Sequence, residues 1–486
     1  MKVVLAGYNL DYETIREFQE MHPEVQNLTP ETVSAAYARI SRSPKPVDEL
    51  RAIARQEVEK ARQSNRNIVF EMGHSSIAEH AVFNIDVIGV SRFLVEDIEK
   101  FRLCAYTEKS QRYVLLEDDF VVPEEIMETG LEEPFVQIIR LQNKFYHELY
   151  EKLKPYVFEK HQDLAADPKN RALLEGWAKE DARYVISLAT ETQLGMTINA
   201  RNLELMLRRL DAHPLAEAQE YSRKLYEATK DIAPSLIRYT EATEYDRRTR
   251  QALKEKVMTL NEVKERGKSA VFDVSLVYVT PDADDKIVAA LIHSSSNLSM
   301  SQCRQIVSSM DKSKKECLIK TALKHMKAYD HVLREFENVD LHFELIISAS
   351  CFAQLKRHRM ATITCQDYDP ALDVTIPPAI SEVGMDKVFL EIIIQTEQVY
   401  DRIKKLSPLA ATYILTNAHR KRVSMKVNAR ELYHIARLRA DQHAQWDIRK
   451  TAERMVNLGK KVMPLTLMLA TGKDGFASLY NQTFAG

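Results

Sequence analysis

The stretch VNARELYHIARLRADQHAQWDIR, residues 427–449, decides how the rest of the chain is read. Taken alone it offers little more than Asn428 as a helix N-cap. Its first part has an echo, however: TINARNLELMLRRL at 197–210 and KVNARELYHIARLR at 426–439 share N-A-R, and an Ala-Gln pair follows each, Ala218-Gln219 and Ala444-Gln445. Working outward, a strand, a serine, a helix and a basic cluster also occur twice, in SRFLVEDIEKFRLCAYTEKSQRYV from Ser91 and SASCFAQLKRHRMATITCQDYDP from Ser348. The last basic residue, Arg102 or Arg359, stands eleven positions after the serine in both. Further upstream, SAAYARIS at 34–41 is echoed by VAALIHSS at 288–295. Three blocks repeated in the same order mark a diverged tandem duplication.

Composition agrees with a large globular chain. Its 486 residues, 45% of them hydrophobic, suffice for two large domains or about three ordinary ones. Basic and acidic residues number 68 and 70, a net charge of -2, so no general electrostatic pull towards nucleic acid or acidic membranes is expected. No apolar run is long enough for a membrane span, and MKVVLAGYNLDYET lacks the architecture of a signal peptide. Five cysteines (Cys104, Cys303, Cys317, Cys351, Cys365) without a C-x-x-C pair argue against a disulfide framework or structural zinc, and for a reducing cytoplasm. No metal site is expected. Glycine is scarce, and neither G-x-G-x-x-G nor G-K-[ST] occurs, so any nucleotide or flavin is held without a Rossmann or P-loop cradle.

Apolar residues at three- and four-residue spacing predict helices over 134–154 and 386–405, and alternating β-branched runs predict strands over 82–90 and 341–348. Residues 244–268 are highly charged and poor in core residues; FDVSLVYVT then reads as a new first strand. The expected division is a first repeat over 1–243, a connector over 244–269 and a second repeat over 270–486.

These blocks resemble the flavin-dependent thymidylate synthase family. Its signature reads R-H-R-x-x-S-x-N-E-x-S-x-R-Y, preceded by H-x-[ST]-x-x-E-H and followed by A-R, N-A-R and L-R-A-D-x-H-A-Q. The resemblance covers nearly the whole chain, once per half, and neither half is complete. The first keeps His74-Ser75-Ser76-Ile77-Ala78-Glu79-His80, the end Glu108-Lys109-Ser110-Gln111-Arg112-Tyr113, and Ala182-Arg183; it has Lys100-Phe101-Arg102 for R-H-R and Leu210 for the late Arg. The second keeps Gln354, Arg357-His358-Arg359, Asn428, Arg430 and Arg439, but has Asp367-Tyr368-Asp369-Pro370 for S-x-R-Y and Thr412 where Arg183 aligns. The signature Asn is missing from both, as Thr107 and Thr364.

The resemblance implies an α+β fold, two tandem domains of this family with helices packed on a mostly antiparallel sheet. In the family each site is assembled from several subunits of a homotetramer. The two halves here retain complementary sets, which implies one composite site per chain and a homodimer acting as a pseudo-tetramer of repeats. The implied reaction makes thymidylate from deoxyuridylate, with FAD as cofactor and methylenetetrahydrofolate and NADPH as co-substrates. Ser110, Gln111, Arg112, Arg183, Gln354, Arg357 and Arg439 would hold the nucleotide. Arginines suit a phosphate dianion, and Arg439 against the uracil carbonyl would act catalytically with Ser110. Ser76, Glu108, Arg357, His358, Arg359, Asn428, Arg430 and His434 would hold the flavin, while His74 or His331 faces the folate. A related flavin- and folate-linked pyrimidine nucleotide modification, or a non-catalytic nucleotide-binding scaffold, stay open as alternatives.

Overall fold

The computed structural model describes residues 1–9, 12–23, 28–40, 45–112, 114–260 and 273–485. Tyr113 of the first signature and residues 261–272, which include part of the expected connector, lie outside the described residues. The chain forms two compact units: Met1–Gly267 with Lys387–Leu415, and Lys268–Asp386 with Thr416–Gly486. We call them unit 1 and unit 2.

Each unit is built on a four-stranded sheet. Unit 1 has β1 (Lys2–Gly7), β2 (Val82–Ser91), β3 (Ala105–Glu108) and β4 (Glu191–Asn199), in the order β1-β2-β4-β3. Unit 2 repeats the order as β5-β6-β8-β7, with β5 (Val274–Val279), β6 (Asp340–Ser348), β7 (Thr362–Cys365) and β8 (Arg420–Asn428). All six pairings are antiparallel. This is the expected α+β class, and the predicted strands fall in β2 and β6.

Alternation sets which face is covered, because successive side chains of a strand point to opposite sides. Phe83, Ile85, Val87, Leu194, Met196 and Ile198 are buried in unit 1, and Leu341, Phe343, Leu345, Val423, Met425 and Val427 in unit 2. Between them stand polar residues such as Asn84, Asp86, His342 and Glu344 on the other face. In β2 a register shift between Ile88 and Val90 admits one extra residue, Gly89, at φ +72°. That left-handed conformation favours glycine at a bulge. In unit 2 the helix Trp446–Val462 closes onto β6 through Gly459, where a Cβ would meet Leu467 at 2.7 Å and Leu341 at 3.2 Å.

The repeated motifs have a shared local cause. Ser91 and Ser348 end β2 and β6 and cap the helices Arg92–Ile98 and Ala349–Leu355, accepting from the Leu94 and Cys351 amides at 3.0 and 2.9 Å. Asn199 and Asn428 end β4 and β8 and cap the helices Ala200–Asp211 and Ala429–Arg439, accepting from Asn202 and Glu431 at 3.0 and 2.8 Å. Each cap satisfies a helix-end amide that has no partner within the helix. The Ala-Gln pairs are not equivalent: Gln445 is the N-cap of Trp446–Val462, whereas Ala218-Gln219 lies inside the helix Ala216–Thr229. The buried carboxylates that bind the capping serines fix the true register, with Glu217 accepting from Ser91 Oγ at 2.7 Å and Asp447 from Ser348 Oγ at 2.6 Å.

Unit 1 also contains the helix Glu132–Lys160, which covers the predicted 134–154. The predicted helix over 386–405 is Asp386–Lys404, and nearly all of it belongs to unit 1 although it lies in the second half of the sequence. Gln142 donates to Thr396 Oγ1 at 2.9 Å and to the Ile414 carbonyl at 3.0 Å, and the Leu188 and Ala189 amides reach the Leu415 and Tyr413 carbonyls at 2.8 Å. The helix Glu244–Met258 carries a capping box from Thr243 and Asp246 and buries none of its residues. No helix among the described residues is long and apolar enough to cross a membrane.

Candidate functional site

Unit 2 gathers one group of the expected residues at the end of β6. The helix that starts at Asn428 runs back along the sheet for about 16 Å, at 1.5 Å per residue. Its last residue, Arg439, thereby reaches the helix carrying Gln354 and the turn carrying His358. Arg439 Nη2 donates to the Gln354 carbonyl at 3.3 Å and Nε donates to His358 Nε2 at 3.1 Å. A guanidinium can only donate, so Nε2 is the acceptor and the ring proton sits on Nδ1, by assignment from the network. Nδ1 lies 3.3 Å from Glu431 Oε1. Burial pushes the His358 imidazole below its ordinary pKa, with Glu431 opposing and Arg439 assisting. The ring is neutral at pH 7.

The basic triplet is therefore split. His358 is buried, at 3% exposure, while Arg357 and Arg359 on either side are exposed. Asp367 and Asp369, where the second half departs from the signature, are exposed as well, and Asp369 caps the short turn Pro370–Leu372 by accepting from the Ala371 amide at 3.0 Å.

A second group in unit 2 lines a small open pocket whose walls include His331, Arg430, His434, Arg437 and Lys473. Arg437 ties the wall together, donating to the Tyr329 and Asp330 carbonyls at 2.9 Å and lying 3.1 Å from His434 Nδ1. Arg430 donates to the Val332 carbonyl at 3.0 Å and pairs with Glu337 at 2.8 Å. Burial, reinforced by His358, Arg437 and His331 against the opposing Glu431, pushes His434 down to about 4. Burial and the nearby arginines lower His331 too. The wall thus combines permanent cations with neutral imidazoles, a donor set suited to a phosphate-bearing aromatic ligand. In that chemical sense the residues fit part of a flavin dinucleotide.

In unit 1 the end of the first signature forms a charged corner. Ser110 Oγ accepts from the Arg112 amide at 3.1 Å, and Arg112 Nε lies 2.8 Å from Glu180 Oε1. Glu180 is on the helix Arg171–Ala182, and Arg183, 5% exposed, follows it. Burial lowers the Arg183 pKa, Glu180 opposes, and Arg112 and Arg92 add to the lowering. The Glu108 side chain is buried and paired with Arg92, and also accepts from Thr192 Oγ1 at 3.4 Å. Gln111 is buried beside them, at 5% exposure. Three guanidiniums stand here against two carboxylates, leaving one positive charge among these five side chains for an incoming anion. His74 and Ser76 are exposed on or beside the turn Ser75–His80, which is tied by Glu79 to Arg201 of the first N-A-R.

Sequence reasoning passed over Arg92, Glu180, Glu431 and Arg437. A signal for the first existed. Counted from the capping serines, Arg92 and Glu108 correspond to Ala349 and Cys365, so the two members of the pair are absent together from the second half.

An α+β protein of two like units, each with the same sheet order and its own cluster of buried and exposed cations, is the class that fold and site define. The family model described as Thy1, thymidylate synthase complementing protein, matches residues 25–235 and again 275–465. The chain belongs to this family, that of the flavin-dependent thymidylate synthases, as a diverged tandem duplication. It is 24% identical over 482 residues to a UPF0159 protein of Thermoplasma acidophilum, covering 88% of this chain and 93% of that one. It is 30% identical over 215 residues to a flavin-dependent thymidylate synthase of Clostridium tetani, covering 43% of this chain and 82% of that enzyme. A solved flavin-dependent thymidylate synthase from Helicobacter pylori, complexed with FAD and dUMP, covers 49% of this chain and all of its own, at 16% identity and a TM-score of 0.31.

Proposed function

We propose that the chain methylates deoxyuridylate to thymidylate in a flavin-dependent reaction with methylenetetrahydrofolate, at one composite site per chain supplied by both repeats, 1–243 and 270–486. The observation that supports this is the division of the polar and charged side chains between the two units. Ser110, Arg112 and Arg183 are clustered in unit 1, and Gln354, His358 and Arg439 in unit 2. Each set is what the other half has lost.

In this reading Arg112 and Arg183, with Ser110 and Gln111, take the nucleotide phosphate. Bringing a dianion to the corner offsets the repulsion among its guanidiniums and releases part of the cost of keeping Arg183 buried and charged. Arg439 polarises the uracil carbonyl. A fixed guanidinium there stabilises the enolate-like charge that grows as C5 becomes nucleophilic, and it needs no reorganisation at the moment of reaction. Arg357 and Arg359, with Asn428, Arg430 and His434, would hold FAD, together with Ser76 and Glu108 from the first repeat. When bound, FAD would supply the hydride, with NADPH as the expected reductant. His74 or His331 faces the folate. The protein would work in the cytoplasm as a homodimer, a pseudo-tetramer of repeats. Thr107 and Thr364 at the signature Asn favour, as a second reading, a related flavin- and folate-linked modification of a pyrimidine nucleotide at the same site.

The test is a flavin spectrum of the purified chain with a deoxyuridylate titration and product analysis. One flavin and one nucleotide per chain, with thymidylate formed, is the expected result. Saturation at two of either would reject the single composite site, and a chain that binds neither would reject the enzyme.

A further inference from the structure

Glu431 belongs to no motif that marked the site, yet it is the third member of the group around Arg439. Its backbone amide is held by Asn428 Oδ1 at 2.8 Å, in the first turn of the helix Ala429–Arg439, and its residue is 8% exposed. Its Oε1 lies 3.3 Å from His358 Nδ1, and the opposite ring nitrogen lies 3.1 Å from Arg439 Nε. We infer that Glu431 is a positioning residue: its carboxylate keeps His358 in the Nδ1–H form, so that Nε2 accepts from Arg439 and orients the guanidinium. The inference rests on the reading of Arg439 as the cation that meets the base.

The physical need for such a group is specific. A neutral imidazole has one donor and one acceptor, and either nitrogen can carry the proton. If Nε2 carried it, two N–H groups would face each other across the 3.1 Å gap to Arg439, and the buried ring would leave Nδ1 without a donor. A carboxylate is acceptor-only when ionised, so Glu431 at Nδ1 selects the useful tautomer. Burial keeps the ring neutral, which this arrangement requires.

Comparison with unit 1 supports one shared role for the three residues. Counted from the capping residues Ser91 and Ser348, Asn199 and Asn428, the places of His358, Glu431 and Arg439 are taken by Phe101, Asn202 and Leu210. Asn202 turns back to its own cap, donating from Nδ2 to Asn199 Oδ1 at 2.8 Å, and Leu210 is buried as an ordinary core residue. Where the arginine is absent, the imidazole and the carboxylate are absent too. A bland role for Glu431, an acid favoured by the positive end of a helix, explains neither the joint loss nor its contact with Nδ1.

The experiment is a ring 15N–1H correlation spectrum of the full chain at pH 7.5, with His358 assigned through His358→Gln, alongside steady-state kinetics with deoxyuridylate. In the wild type His358 should show the Nδ1–H tautomer; a Nε2–H ring overturns the inference whatever the variants do. Glu431→Gln keeps an acceptor oxygen and should keep the tautomer and most of the turnover. Glu431→Leu should give mixed tautomers and a kcat lower by roughly 10–100-fold, the scale of losing a carboxylate that orients a functional imidazole, with flavin content unchanged. An unchanged tautomer and kcat in Glu431→Leu overturns it. Should the leucine variant not fold, the wild-type spectrum still decides. A wild type that makes no thymidylate but shows the Nδ1–H ring would sink the functional reading and not the tautomer assignment.

Discussion

In unit 1 the serine that ends β2 caps its helix and binds Glu217; in unit 2 the serine that ends β6 caps its helix and binds Asp447. From the residue after each serine onward the two corners diverge. Unit 1 places Arg92 against Glu108 and Arg112 against Glu180. At the matching places of unit 2 stand Ala349, Cys365 and Asp369, and the space is used differently: Lys421, 3% exposed, lies with its Nζ 3.9 and 4.0 Å from the ring centres of Phe352 and Tyr368. The difference teaches what a duplicated fold must keep and what it can drop. Caps are kept because a buried helix-end amide without an acceptor costs stability in either copy. Charged residues leave in pairs, because removing one partner strands the other as an uncompensated buried charge, at a cost of about 3–5 kcal/mol.

The largest effect that sharpens this contrast is expected at Arg439, whose counterpart is Leu210. Arg439→Ala should lower kcat by roughly 10²–10³-fold, as the loss of one fixed donor to a developing anion does, while absorbance shows flavin content close to wild type. Near-normal turnover would remove the asymmetry between the units at this position. Next comes Arg112 against its counterpart Asp369. By calorimetric titration, Arg112→Ala should weaken deoxyuridylate binding by about 10–100-fold, given ~1.5–3 kcal/mol for a charge-assisted hydrogen bond. Asp369→Ala should bind as the wild type does, and equal losses at both would show that both corners hold ligand.

Smaller effects concern the scaffold. Counted from Glu217 and Asp447, Gly459 of unit 2 corresponds to Thr229 of unit 1, so the second unit alone has a glycine at this place. Gly459→Ala drives a Cβ to 2.7 Å from Leu467 Cδ1, and chemical unfolding should show a loss of about 1–3 kcal/mol. The last concerns pH. His434 is pushed down to about 4 from an ordinary 6.5, and His358 and His331 are lowered in the same direction. The unfolded chain then binds more protons than the folded one below pH 6.5. Stability is fully present above that value and is lost as pH falls towards 4. Thermal melts should show Tm falling from pH 7 to pH 5, and His434→Leu, the residue type that unit 1 has as Leu205, should flatten that slope.

Much of this was legible before any coordinates. The N-A-R and serine blocks are local: an Asn amide oxygen or a Ser hydroxyl three residues ahead of an orphan amide caps a helix wherever the chain goes, so these positions repeat in sequence because they repeat in structure. Strand alternation and helix periodicity are equally local, and β2, β6, Glu132–Lys160 and Asp386–Lys404 lie where the patterns put them. The Ala-Gln pairs show the limit of reading by identity. They match as letters, yet one precedes a helix and the other lies within one, and only the Ser91–Glu217 and Ser348–Asp447 bonds fix the register.

What the tertiary structure decided is which charges meet. Arg357-His358-Arg359 reads as one basic triplet, but the turn after Leu355 buries the middle ring and exposes its neighbours, because His358 must face the helix that carries Glu431 and Arg439, residues 73 and 81 positions away. Arg92 and Glu180 joined the corner for the same reason, and the helix Asp386–Lys404 was assigned to unit 1 by its packing and not by its place in the repeat. Pattern in a sequence reports interactions within a turn or two of backbone. Desolvation and pairing of ionised groups depend on distance in space, and only the folded chain sets those distances.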